Sequence, residues 1–455
     1  MHLELLLINY KSINGIINLI LFLWYNRLRI EDENMEILNE KEYEKFVSSH
    51  KKSHFMQSYY WGEVSTKKNF IPHYVGIKEK GKIVAATLML QKKLPKGYSY
   101  FYCPRGFVID FENVSLLKKF TKEIKEYAKS KKAIYIKIDP DIKRHDMDSD
   151  GNIIGNDSKI TDILKNQGYI HKGYNVEFTN EQPRFTFRLD LTKSDEEIFS
   201  GMHSTTRKIL NKENKFEIYK GTIKDIDEFY ITMEETAARE HLGCNKIEYY
   251  ENFYNVLNKN NMSDLYVLKL NVTELKDRYN NKIIELEDKI VEMEKNTKVN
   301  LKKQQNKINE INTEINKIKK DLIEINEIKE EKLTLSSIMT ARYGNKVWTV
   351  HGGNITALRN LNANYFLYYE IIKDAKKEKY EIIDFFGCSG VANPPKESSI
   401  AGLHNFKKRL GGEYTEFLGE FDLIINKPLY HIFNILIPIR RKLVKRKKVK
   451  ESEKK

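Results

Sequence analysis

Cysteine is nearly absent from this chain. Three residues among 455, Cys103, Cys244 and Cys388, stand far apart. There is no Cys-x-x-Cys pair and no zinc-finger spacing, which excludes a disulfide-stapled fold and a thiolate metal site. A reducing cytoplasm fits that usage. Histidine is scattered too, with 11 residues and no His-Glu-x-x-His pair, so a metal enzyme is not expected. No Walker loop and no Gly-x-Gly-x-x-Gly occurs, and no nucleotide or other cofactor is expected. Long apolar runs are missing as well. The best candidate, residues 13–28, contains three Asn and an Arg and falls below the roughly 20 apolar residues of a spanning helix. It also lacks a small-residue cleavage site. Two readings stay open for residues 1–34: an interfacial anchor, or translated sequence upstream of a start at Met35.

Positive charge is in excess. Lys and Arg number 78 against 64 Asp and Glu, a net +14. That points to polyanionic partners, meaning nucleic acid, anionic lipid or phosphorylated substrates. Part of the excess sits at the end of the chain. Residues 440–455 hold ten Lys or Arg and two Glu, hence +8, after an apolar stretch at 430–439. This pairing suits an anionic membrane surface, and a solvated tail is the plainer reading. The 27 Tyr and 22 Phe are ample for folded cores.

Glycine and proline vanish altogether over 272–334. There, Ile283, Leu286, Ile290 and Met293 are spaced 3, 4, 3, and the rhythm returns at Ile308, Ile311, Ile315, Ile318, Leu322 and Ile325. That is a coiled-coil seam. One straight helix would reach roughly 90 Å. The flanks 265–270 and 336–341 read as strands, so the chain must return. An antiparallel helical hairpin of about 45 Å, turning near 296–300, does so. The segment is therefore an arm inserted into a globular domain.

Elsewhere the pattern alternates strands and helices. Strands are expected at 73–77, 83–91, 98–103, 133–138 and 174–178, with helices at 40–49, 114–130 and 160–166. A second pass begins with a strand at 185–191, continues through helices at 226–240 and 249–257, and ends with a helix at 364–377 and a strand at 380–384. Two similar α/β units on mixed sheets follow.

The ordered motifs resemble those of the Fem family (FemA, FemB, FemX), aminoacyl-tRNA-dependent transferases that build peptidoglycan cross-bridges. The match is carried by Phe55-Met56-Gln57 with Trp61, by 104–110 (Pro-Arg-Gly-Phe-Val-Ile-Asp), and by Arg207 in a basic helix. It continues through 348–353 (Trp-Thr-Val-His-Gly-Gly), 384–387 (Asp-Phe-Phe-Gly), 402–408 (Gly-Leu-His-Asn-Phe-Lys-Lys), Gly411-Gly412 and 419–421 (Gly-Glu-Phe). The resemblance implies an α/β fold of two acetyltransferase-like (GNAT) domains, with an antiparallel coiled-coil arm inserted in the second. The expected parts are an extension 1–34, domain 1 at 35–182, domain 2 at 183–271 and 335–439, the arm at 272–334, and the tail 440–455.

It further implies transfer of an amino acid from aminoacyl-tRNA to the stem-peptide amine of a lipid-linked murein precursor. The protein would work at the inner face of the plasma membrane, touching anionic lipid, and a homo- or hetero-oligomer is compatible with that. Lys407 resembles the family's catalytic lysine, in a Phe-Lys pair whose Phe406 would pack the terminal adenosine. Read from spacing alone, Lys407 is a solvated residue in the run Lys407-Lys408-Arg409. Asp110 is placed to take or orient the amine's proton, or only to cap a turn. Arg207 and Lys208 would hold a pyrophosphate, since Arg offers a bidentate fork; an ordinary basic face is the alternative. Two departures stand out. Ser65 occupies a position where the family commonly has Lys, with Lys67 and Lys68 close by, and His351 stands where a Tyr is often found. The arm lysines (Lys302, Lys303, Lys307, Lys317, Lys319, Lys320), mixed with Glu310, Glu314 and Asp321, are a candidate tRNA-binding surface.

Two other classes compete. An acyl-CoA acyltransferase would need the Arg/Gln-x-x-Gly-x-Gly/Ala loop, which is not evident. A coiled-coil RNA-binding or scaffold protein explains the arm and the charge but not two α/β units.

Overall fold

The computed structural model describes residues 35–435 except 156, 177–179, 241–242 and 296–299. The segment 13–28, the tail 440–455 and most of the expected arm turn lie outside the described residues. The chain divides into two units. The first comprises residues up to Asp146, Gly155–Arg184 and the chain from Glu416, and the second Met147–Ile154 and Phe185–Thr415.

In the first unit, β1 (Glu36–Ile37), β2 (Ile71–Glu79), β3 (Lys82–Lys93) and β4 (Ser99–Cys103) form antiparallel neighbours. β4 then runs parallel to β5 (Ala133–Ile138), with a register shift between Ser99 and Phe101, and pairs as far as Cys103 opposite Ile138. The core faces α3 (Val114–Ser130), whose Leu117, Phe120 and Ile124 meet Phe101, Ile136 and Ile138. Those positions recur at helical spacing, and the opposite face of α3 is rich in lysine. Asn39 caps α1 (Glu40–Ser49) and Ser58 caps α2 (Tyr59–Thr66), each accepting a backbone N–H of the first turn. Phe55, Trp61 and Tyr102 are core aromatics.

The second sheet repeats this order. β8 (Phe216–Gly221), β9 (Leu265–Asn271), β10 (Lys332–Tyr343) and β11 (Lys346–Asn354) are antiparallel neighbours, and β11 runs parallel to β12 (Ile382–Gly387). Four antiparallel strands followed by one parallel pair is thus common to both units. Each sheet gains a further antiparallel strand beyond the parallel pair: β7 (Phe185–Asp190) beside β12, and β14 (Phe421–Ile424) beside β5. Helices α7 (Ile226–Arg239), α8 (Ile247–Lys259) and α11 (Ala363–Lys377) cover the second sheet.

Two boundaries differ from the expected ones. The sequence places residues 335–439 in the second domain, but β14 lies in the first sheet between β5 and β6 (Tyr169–His171). Its hold is electrostatic as well as hydrogen-bonded. Lys137 lies 3.4 Å from Asp422, and Tyr430 donates to Asp422 at 2.7 Å. Residues 147–154, expected in the first domain, belong to the second unit, where Met147 enters the core and Asp150 pairs with Lys408 at 2.7 Å. Of the strand expected at 174–178, residues 174–176 are not in a strand and 177–178 lie outside the described residues, while a short strand is found at Tyr169–His171.

Between β9 and β10 the chain forms α9 (Val272–Lys295) and α10 (Leu301–Glu327). Because β9 and β10 pair antiparallel, the insertion starts and ends side by side. Ile283, Leu286 and Ile315 are buried against Ile290, Ile311, Ile318 and Leu322, so the two apolar stripes meet each other. Leu275 and Ile325 root the hairpin in the domain core. Among the described residues, no helix is long and apolar enough to cross a membrane.

Candidate active site

The parallel pair of the second sheet opens. β11 and β12 pair only from Lys346–Ile382 to Trp348–Asp384, and beyond that β11 continues to Asn354 paired with β10 on its other side. The first unit's β4 and β5 show no such parting. Tyr368 of α11 spans the opening. Its ring centroid is 5.9 Å from Phe385, and its hydroxyl lies 3.5 Å from where a Cβ on Gly352 would stand. Burial, against a hydrogen bond with Thr349, pushes the Tyr368 hydroxyl up to about 12.

The end of β12 is bent by Phe386, whose φ of 61° is left-handed. That conformation costs a bulky residue roughly 1–2 kcal/mol and persists where neighbours over-determine it. Asp384 does so here. It accepts the Phe386 N–H at 2.8 Å and Arg188 Nε at 2.8 Å, and Thr186 Oγ1 lies 2.5 Å away. Pairing with β7 skips between Asp384 and Gly387, and the carbonyls of Phe386 and Gly387 both accept from one side chain.

That side chain is Lys407. It sits on α12 (Ala401–Lys408), only 5 % exposed, and donates to Gly387 O at 2.7 Å and Phe386 O at 3.3 Å. The solvated-run reading is therefore wrong for Lys407, while Lys408 beside it is half-buried and reaches out to Asp150 and Asn393. Burial lowers Lys407 to about 8, against the opposing pull of Cys388 and Asp384. An ammonium that can be discharged near neutral pH is uncommon and belongs to the chemistry of functional sites. Phe406 packs between Tyr365 and Tyr368, with both ring centroids at 4.9 Å.

Sequence reasoning missed the groups that hold this corner. His404, one turn before Lys407 and fully buried, bonds through Nε2 to Ala392 O at 2.8 Å. Burial lowers its pKa. Tyr414 donates to Ser389 O at 2.7 Å. His404 thus ties the loop after β12 to α12, and Tyr414 ties it to the strand Glu413–Glu416. The signal was present: Ala401, His404 and Lys407 share one buried helical stripe.

The other named residues are dispersed. His351 also lies in the second unit, with the rings of Tyr249, Tyr250 and Phe253 edge-on to it at 5.1–5.6 Å. Arg207 of α6 (Ser204–Leu210) donates to Met202 O at 2.8 Å and to Ser200 O, closing the end of the preceding helix, and Lys208 is exposed. Asp110, Lys67 and Lys68 belong to the first unit. Asp110 Oδ1 accepts Glu112 N–H at 3.1 Å, which is turn capping. Lys67 and Lys68 are exposed at the end of α2, while Ser65 is buried and bonds within its helix to Trp61 O.

Compared with known proteins, the chain matches the model of the FemAB family over residues 38–437. The chain belongs to the FemAB family. It is 30 % identical over 420 residues to a lipid II:glycine glycyltransferase of Staphylococcus haemolyticus (strain JCSC1435), covering 89 % of this chain and 96 % of that protein. A protein of the same name from Staphylococcus aureus (strain USA300) is 29 % identical over 424 residues, with the same coverage. Among solved structures, FemX superposes with a TM-score of 0.69 at 27 % identity, over 88 % of this chain and 99 % of that one. This FemAB protein is accordingly an aminoacyltransferase in class.

Proposed function

We propose that this FemAB protein moves an amino acid from aminoacyl-tRNA onto the stem-peptide amine of a lipid-linked peptidoglycan precursor, extending the interpeptide bridge. The relatives named lipid II:glycine glycyltransferase support the acceptor and make glycine the first amino acid to test. The single observation that carries the mechanism is the buried Lys407 at the parted end of β11 and β12.

In the reaction the deprotonated amine attacks the ester carbonyl. A C–N bond forms and the carbonyl oxygen takes negative charge. The C–O bond to the ribose then breaks, and the ribose oxygen receives a proton. Preorganised positive charge at the oxyanion usually contributes most to such catalysis, and Lys407 supplies it. A lysine near pH 8 also suits protonation of the leaving ribose oxygen. Phe406 offers its ring to the terminal adenosine. Asp110 is the assigned acceptor of the amine's proton, Arg207 and Lys208 the assigned holders of the precursor's pyrophosphate, and His351, Lys67 and Lys68 the assigned substrate contacts. The helical hairpin is read as a coiled-coil arm, with its exposed lysines an auxiliary tRNA surface. Each α/β unit is read as acetyltransferase-like. The basic tail is read as holding the protein at the inner membrane face, alone or in an oligomer.

The test is transfer of a labelled amino acid from a panel of charged tRNAs to the lipid-linked precursor or its soluble nucleotide form. Transfer from acyl-CoA instead would favour the other acyltransferase reading.

A further inference from the structure

One end of the first sheet carries charge and apolar surface that the transfer chemistry does not use. β3 leaves the sheet there at Lys93, and the turn closes with Leu94 N–H donating to Tyr98 O at 2.8 Å. β4 and β5 begin there, linked by Ser99 N–H to Lys132 O at 3.1 Å, and β14 ends there, with Ile425 N–H donating to Ile134 O at 3.0 Å. A helical stretch over 427–435 then packs across this end. Its Leu429, Tyr430 and Phe433 join Leu94, Tyr98, Tyr100, Ile134 and Tyr135 in one cluster. The segments 92–100, 129–135 and 424–435 therefore form one continuous rim.

The outward side of that rim is unusual in two ways. Ile432 and Ile435 point away from the cluster and are 52 % and 64 % exposed. Around them Lys93, Lys96, Lys131, Lys132 and Lys427 are exposed, and the segments 92–100, 127–138 and 423–435 contain no Asp or Glu. The neighbouring carboxylates Glu420 and Asp422 are engaged with Lys137, Lys172 and Tyr430. Glu181 is the exposed carboxylate whose charge reaches Tyr135.

We infer that this rim is a docking face for an anionic lipid bilayer. Exposed aliphatic side chains, half-buried tyrosine and a set of lysines that outnumbers its two exposed acids, Glu181 and the Glu126 paired with Lys129, match the layered chemistry of a head-group region. An RNA backbone would satisfy the lysines but offers nothing to Ile432 and Ile435. The sequence that follows is apolar at 436–439 and then basic, so the same chemistry continues beyond the rim. The inference rests on the membrane-proximal part of the proposed function and assigns it to a surface of the folded protein, not to the tail alone.

The test uses the full chain with vesicles of phosphatidylcholine alone or mixed with phosphatidylglycerol. The wild type is expected to prefer the mixed vesicles, with affinity falling as salt rises. The triple variant Lys93→Gln/Lys96→Gln/Lys132→Gln is expected to lose roughly a hundredfold in affinity, at about fivefold for each lysine near the surface. Ile432→Ser/Ile435→Ser should weaken binding that survives high salt. Both variants should keep wild-type melting and wild-type transfer to the soluble nucleotide-linked precursor, which separates this inference from the transferase reading. Vesicle binding remains measurable even if no transfer is found. Equal binding of both vesicle types by the wild type, or wild-type vesicle affinity in the triple variant, would overturn the inference. So would a triple variant that keeps its vesicles and loses tRNA, which would assign the rim to RNA.

Discussion

Replacing Lys407 with Met removes the buried ammonium and keeps most of the side-chain volume. Two hydrogen bonds from a charged donor are lost, to Gly387 O and Phe386 O, each worth about 1.5–3 kcal/mol. Against that, holding the charged form at about 8 instead of 10.5 costs it ~3 kcal/mol, at 1.36 kcal/mol per pKa unit. The two effects largely offset, so the variant should fold with a stability change of about 3 kcal/mol or less. Activity should respond very differently. Removing one oxyanion donor costs on the order of 100–1,000-fold in kcat. The assay is single-turnover transfer from pre-charged tRNA at saturating precursor, with thermal melts of both proteins alongside. Unchanged turnover in a folded variant would refute the reasoning. Equal loss of stability and activity would reduce Lys407 to a structural cation.

The same residue sets a pH dependence. Transfer that needs charged Lys407 should fall as pH rises through about 8, and Lys407→Met should lack that limb. For stability the sign runs the other way. Between about 8 and 10.5 the unfolded lysine keeps its proton while the folded one has released it, so stability rises with pH across that window. Asp139 offers the acidic counterpart, since burial raises its carboxyl to about 7 from 3.8. There the folded form keeps its proton longer, so the site's contribution falls as pH rises from about 4 to 7. Asp139→Asn should flatten that slope in chemical denaturation. Asp384→Ala removes the acceptor of Arg188, Phe386 N–H and Thr186 and should cost about 3–5 kcal/mol by thermal denaturation, as for a broken buried pair. Gly353→Ala would set a Cβ 2.5 Å from the Thr232 backbone on α7 and should destabilise by on the order of 1–3 kcal/mol.

Much of this architecture was readable from local pattern. The seam from Ile283 to Ile325 could serve only paired helices, and strand flanks at 265–270 and 336–341 required the chain to return. The apolar-to-basic alternation of Val114–Ser130 marked α3. What escaped the sequence depends on distant partners. Nothing local in Phe421–Ile424 says that it pairs with Ala133–Ile138, almost three hundred residues earlier along the chain. Lys407 was named by motif, yet its neighbours Lys408 and Arg409 disguised its burial. Only the helical phase shared with Ala401 and His404 separates it from them. The left-handed turn at Phe386 was equally hidden, because the groups that enforce it, Thr186 and Arg188, come from β7.

The most direct measurement is transfer of labelled glycine from glycyl-tRNA to purified lipid II by the full-length protein, within a panel of other aminoacyl-tRNAs. The account predicts a peptide bond to the stem-peptide amine from at least one of them, and its loss in Lys407→Met. No transfer from any charged tRNA, with an acyl-CoA serving as donor in their place, would contradict it.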